Sequence, residues 1–138
     1  MDTAAPSLLE GARVGEHNEL TGEPIKNHNG FHELFQRHPE NPILTAEHWP
    51  YPANSVFNPG AIQLPNGETL LLVRVEDRRG ASHLAVARSA DGATGWRIDS
   101  AATMMPLSEQ YPEEVWGIED PRIVWLQELD RYAITYTA

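Results

Sequence analysis

The chain contains no cysteine. That absence excludes a disulfide frame and any thiolate-bound metal, and it suits a reducing compartment. Positive charge is scarce as well. Ten Lys and Arg stand against twenty Asp and Glu, a formal net charge of −10, so nucleic acid and anionic membrane surfaces, which require a cationic footprint, are not expected partners. No apolar run approaches the roughly 20 residues that a membrane helix requires. The N-terminus, Met1-Asp2-Thr3-Ala4-Ala5-Pro6, lacks the basic-then-apolar order of a signal peptide. A soluble, cytoplasmic protein without a bound metal is the expectation, and 138 residues allow one domain at most.

Residues 1–38 read as a poorly ordered leader, polar and without periodicity, with one short helical turn at Phe31–Phe35. His28, His32 and His38 match no zinc spacing and read as loop histidines. Residues 39–138 read as β. Pro50, Pro52 and Pro59 exclude a helix between Trp49 and Gly60. Strands are predicted at Ala61–Leu64, Thr69–Val75, Ser82–Arg88, Trp96–Ile98, Ile123–Leu126 and Tyr132–Tyr136. Pro65-Asn66-Gly67-Glu68 is a hairpin signal, because Asn-Gly tolerates the positive φ of a primed turn. Thr69–Val75 is apolar almost throughout, as a strand buried on both faces would be. Strands every 8–12 residues indicate a sandwich, a barrel or propeller blades. A blade takes roughly 40–50 residues, so about one hundred residues correspond to two of them; if the pattern is that of a propeller, the chain is expected to be the N-terminal portion of a larger protein.

The densest chemistry lies in Trp116-Gly117-Ile118-Glu119-Asp120-Pro121-Arg122. Pro121 pushes Asp120 towards an extended conformation, and alternation along an extended chain sends Glu119 and Asp120 to opposite faces. One carboxylate then faces a cavity while an arginine or backbone N–H groups hold the other. A strand-entry turn that satisfies local amides accounts for the same residues equally well. Asn54–Gly60 reads as a proline-bounded loop whose amides and hydroxyl suit sugar hydroxyls, with Trp49, Tyr51 or Phe57 as stacking surfaces; a self-bonded turn is the alternative. Arg74–Arg79 ends the most apolar strand in alternating charge, either as the edge of a site or as a surface ion-pair cluster. Ser89–Trp96 approximates the Asp-box turn of sialidases, a structural device.

Taken in order, Asn41–Leu44, Asn54–Gly60, Leu72–Arg79, Val86–Gly92 and Trp116–Arg122 resemble glycoside hydrolase family 130, the mannoside phosphorylases and their hydrolytic relatives. The resemblance spans roughly residues 39–138 and implies an all-β fold, an incomplete five-bladed β-propeller of which this chain supplies about the first two blades. It implies Asp120 as the catalytic acid, passing its proton through the mannose 3-hydroxyl. Asn54, Ser55 and Arg74, and less directly Glu76 and Arg78, are implied to hold the sugar; strand alternation, not the resemblance, assigns Glu119 and Arg122 to support behind them. No cofactor is implied. Inorganic phosphate is the co-substrate, and because it is already anionic one acid suffices where hydrolytic inversion uses two carboxylates. The expected partner is a small oligosaccharide or disaccharide, with a homo-oligomer for the full-length form. The cationic groups that bind phosphate in the family fall beyond this chain, so the 138-residue polypeptide is expected to be inactive or nearly so. A hydrolase of the same family and a non-catalytic carbohydrate-binding fragment are the alternatives. A sialidase-like enzyme would require an arginine cluster and a Tyr-Glu pair, of which the sequence offers no convincing set.

Overall fold

The computed structural model describes residues 37–138, of which Glu40–Ala138 form one unit. His28, His32 and the Phe31–Phe35 turn lie outside the described residues. Four antiparallel strands, β1 (Ser55–Gln63), β2 (Thr69–Glu76), β3 (Ser82–Ser89) and β4 (Arg97–Ile98), form one sheet in sequence order. A second sheet pairs β5 (Glu119–Leu126) with β6 (Arg131–Thr137). Short 3₁₀ turns at Ala46–His48, Pro112–Trp116 and Gln127–Leu129 are the helical content of the described residues. The fold is all-β, and neither sheet closes on itself. No helix among the described residues is long and apolar enough to cross a membrane.

The β1–β2 connection follows from Asn66-Gly67. Gly67 has φ +88° and donates to the Leu64 carbonyl at 2.9 Å, while the Asn66 side chain accepts from the Glu68 amide at 3.1 Å. A left-handed residue is cheap at glycine, and asparagine supplies the local acceptor. The register that results places two apolar sets on opposite faces of β2 and β3. On one face Val73, Val75, Ala85 and Ala87 are buried beneath Trp49, with Leu44, Tyr51 and Trp96 packed alongside. On the other, Leu72, Leu84 and Val86 are buried against Ile118, which leads into β5. The central strands are thus covered on both sides, which accounts for the near-continuous apolar run of β2.

Ser89–Trp96 forms the Asp-box-like turn. Asp91 accepts from the Ala93 and Thr94 amides at 2.9 and 2.8 Å, and Trp96 packs onto the Trp49 cluster. Hydrogen bonds from the Thr94 hydroxyl, those two amides and the Ser89 hydroxyl hold the Asp91 carboxyl far below the ordinary aspartate range. The connector into β5 is pinned by Glu114, which is buried. It accepts from the Leu107 amide and from the Tyr136 hydroxyl, each at 2.6 Å.

Two strands begin earlier than their sequence patterns indicate. β1 starts at Ser55, inside the stretch read as a loop, because a bulge between Phe57 and Gly60 absorbs Pro59. β5 starts at Glu119 instead of Ile123, with an equivalent irregularity between Glu119 and Arg122. The bulges face each other: a methyl group added at Gly60 would lie 2.8 Å from the Pro121 carbonyl oxygen. Ile123 packs on the Leu72–Ile118 cluster, but much of the β5–β6 hairpin is open to solvent. Val124, Trp125, Tyr132, Ile134 and Tyr136 are all exposed, and β6 pairs with β5 alone among the described strands.

Candidate active site

The backbone at the start of β5 contradicts the extended conformation expected for Asp120. Its φ is +48°, in the left-handed region. Proline disfavours the right-handed α region for the residue before it. Aspartate, with its short polar side chain, is one of the few residues that tolerates left-handed backbone. The consequence corrects the alternation argument. Glu119 and Asp120 do not diverge to opposite faces; both reach the guanidinium of Arg74 on β2.

Arg74 is the hub. Its Nη2 donates to Glu119 Oε1 at 2.7 Å, its Nη1 to Asp120 Oδ1 at 3.1 Å and its Nε to the Ser82 hydroxyl at 3.0 Å. The guanidinium carbon stands 4.4 Å from the centre of the Phe57 ring, a cation–π distance. Glu76 lies at the far edge, 3.9 Å from Nη2, and its Oε1 accepts from the Asn54 amide at 3.0 Å and the Ser55 hydroxyl at 3.4 Å. The Arg74 side chain is 13 % exposed and that of Asp120 36 %. The cation is sheltered while one carboxylate remains open to solvent.

Asp120 has a further partner. Asn58, also left-handed at φ +45°, donates to Asp120 Oδ1 at 3.0 Å. Hydrogen bonds from Asn58 and then Arg74 hold the Asp120 carboxyl below the ordinary aspartate range. Unliganded, this group is a carboxylate with two donors on one oxygen.

Of the residues named from sequence, Arg74, Glu119 and Asp120 form one hydrogen-bonded set and Asn54, Ser55 and Glu76 a second, the two joined by the 3.9 Å Arg74–Glu76 ion pair. Arg122 turns back on the bulge, donating to the Asp120 and Pro121 carbonyls at 3.2 and 2.9 Å. Arg78 sits exposed in the β2–β3 turn and forms no ion pair or hydrogen bond among the described residues. Trp49 and Tyr51 do not offer stacking surfaces here. Both pack on the opposite face of the sheet, where the Tyr51 hydroxyl bonds His83 Nε2 at 2.9 Å. Phe57 does lie at the site, beneath Arg74. From sequence, Asn58 counts only as one of the amides of the Asn54–Gly60 loop, with no role at Asp120, and Ser82 only as the start of a strand. Asn58 carried a usable signal, since Asn58-Pro59 repeats the Asp120-Pro121 pattern; Ser82 reads as an ordinary strand residue.

A cleft of about 370 Å³ between residues 40–48 and the Ala93–Trp96 turn shares no lining residue with this cluster. No group of three or more His, Asp or Glu side chains among the described residues is placed to hold a metal ion.

No family model matches the sequence, and no curated protein matches it. Among solved structures, the chain is similar to a glycosyl hydrolase from Bacteroides ovatus, with 29 % sequence identity and a TM-score of 0.61. The match covers 74 % of this chain and 34 % of that protein, so the chain spans about a third of its length.

Proposed function

We propose that this chain carries one wall of the sugar site of a glycoside-cleaving enzyme, in the manner of the β-mannoside phosphorylases. The observation that carries the reading is the convergence of Glu119 and Asp120 on Arg74, with Asn58 of the facing bulged strand donating to the same Asp120 oxygen. Next to it the Asn54–Ser55–Glu76 set offers hydroxyl and amide groups. Similarity to a protein titled a glycosyl hydrolase supports the same class. On this reading β1–β4 and β5–β6 belong to the first two blades of a five-bladed propeller, and further chain supplies the rest.

In the proposed reaction, Asp120 gives its proton to the oxygen of the departing sugar, through the mannose 3-hydroxyl, as the C1–O bond breaks. A phosphate oxygen forms the new bond at C1 from the opposite face, which yields mannose 1-phosphate with inversion. An acid must first carry a proton, and Arg74 with Asn58 favours the carboxylate. Binding supplies the change: a sugar that strips water from Asp120 raises its proton affinity, and the negative charge of a phosphate nearby raises it further. Glu76 holds Asn54 and Ser55 towards the sugar, Arg74 holds the two carboxylates, and Arg122 braces the bulge. Hydrolysis at the same site is the second reading, favoured by the neighbour's own title.

Titrating the isotope-labelled chain with mannose, and with glucose as a control, tests the site. Shifts confined to Asn54, Ser55, Arg74 and Asp120 signals, larger with mannose, are expected; no response to any sugar would overturn the reading. Assays for mannose 1-phosphate and for free mannose, with and without phosphate, in a longer polypeptide that contains these residues separate phosphorolysis from hydrolysis. The 138-residue chain itself is expected to release neither.

A further inference from the structure

We infer that Ser82 is a positioning residue that sets the fork of Arg74 on Glu119 and Asp120; the inference rests on the reading above, in which Asp120 is the acid of a sugar site. Ser82 is 1 % exposed. A buried hydroxyl is unfavourable unless it is bonded, and the bond this one makes is to Arg74 Nε at 3.0 Å. A guanidinium is planar, so anchoring Nε fixes the direction of both terminal nitrogens at once. Those nitrogens meet the two carboxylates at 2.7 and 3.1 Å. The Phe57 ring, 4.4 Å from the guanidinium carbon, limits movement out of that plane.

The same residue grips the strand that carries the acid. The Ser82 carbonyl accepts from the Ile118 amide at 3.0 Å, and Ser82 bridges Gly117 in parallel fashion. Gly117 has φ +111°, and a methyl group there would collide with the backbone nitrogen and carbonyl oxygen of Ser82. One buried serine therefore references the arginine through its side chain and the Glu119–Asp120 bulge through its backbone. Replacing the hydroxyl leaves the second link intact, so the two can be separated.

The experiment uses the whole labelled chain and needs no turnover. In the unaltered protein the Arg74 Nε–H should exchange slowly with solvent, and rapid exchange there would by itself overturn the inference, whatever the variants do. In Ser82→Ala, exchange should quicken about tenfold, the worth of one hydrogen bond to a charged group, and the Asp120 carboxyl should titrate at higher pH as Arg74 swings free. Ser82→Cys, similar in shape but a weaker acceptor, should fall between. An Asp120 titration in folded Ser82→Ala that matches the unaltered protein would also sink it. Absence of any sugar response with these shifts intact would overturn the sugar site and leave the positioning role standing.

Discussion

Asn58 and Asp120 lie 62 positions apart, yet both adopt left-handed backbone and share a 3.0 Å hydrogen bond. Each precedes a proline in a bulged strand. Substitution can separate the two things Asn58 contributes. Asn58→Gly keeps the backbone permissive and removes the amide, so Asp120 should titrate at higher pH in a well-folded protein. Asn58→Ala loses the same amide and adds left-handed strain of about 1–2 kcal/mol. Carboxyl NMR on both variants and denaturant melts check this; equal stability of the two would contradict it.

Glycines at positive φ differ in what surrounds them. Gly67, in the hairpin, has open space where a side chain would go, whereas Gly117 abuts the Ser82 backbone. Gly67→Ala should cost about 1 kcal/mol of strain alone. Gly117→Ala adds an overlap that only backbone movement relieves, and should cost about 3 kcal/mol or more. Chemical denaturation of the two variants measures the difference.

Acid should weaken the fold in two steps. Burial lowers the proton affinity of His83 below its ordinary 6.5, partly offset by the charge of Asp77. The unfolded chain thus binds a proton near pH 6.5 that the folded chain resists, and stability falls as pH drops below that value. Asp91 and Asp120, each held below an ordinary 3.8 by hydrogen bonds, contribute stability that is present above about pH 4 and is lost as they protonate. His83→Gln should abolish the upper step and leave the lower one. Melting temperature against pH, followed for both proteins, decides it.

For the proposed chemistry, Asp120→Asn is the direct probe. In a polypeptide competent for cleavage it should lower turnover by about 10²–10⁴-fold, the range of general acid catalysis. Sugar affinity should change little, because asparagine keeps an oxygen for Asn58 and Arg74. Full turnover in this variant would remove Asp120 from the role of acid.

Much of the architecture is legible in the sequence. The Thr69–Val75 run, the Asn66-Gly67 turn and the Asp-box-like loop each specify local structure strongly enough that packing did not override them. Among residues marked by their chemistry, Arg74 and Asp120 meet at 3.1 Å, while Asn54 bonds Glu76 instead. What sequence concealed was backbone irregularity. Alternation sent Glu119 and Asp120 apart because the rule assumes an unbroken pleat, and a bulge breaks it. Asn54–Gly60 read as a loop for the same reason, since proline inside a strand is accommodated only at such a break. Ser82 stayed hidden because nothing in a small strand residue announces that a guanidinium rests on it.

The β5–β6 hairpin leaves apolar side chains such as Trp125 and Ile134 in water, with one strand margin unpaired. Such surfaces are what chaperones and proteases engage. On the reading proposed above, further chain packs on this hairpin, so a longer polypeptide that contains it should bind less of a dye that reports exposed apolar surface than residues 1–138 do.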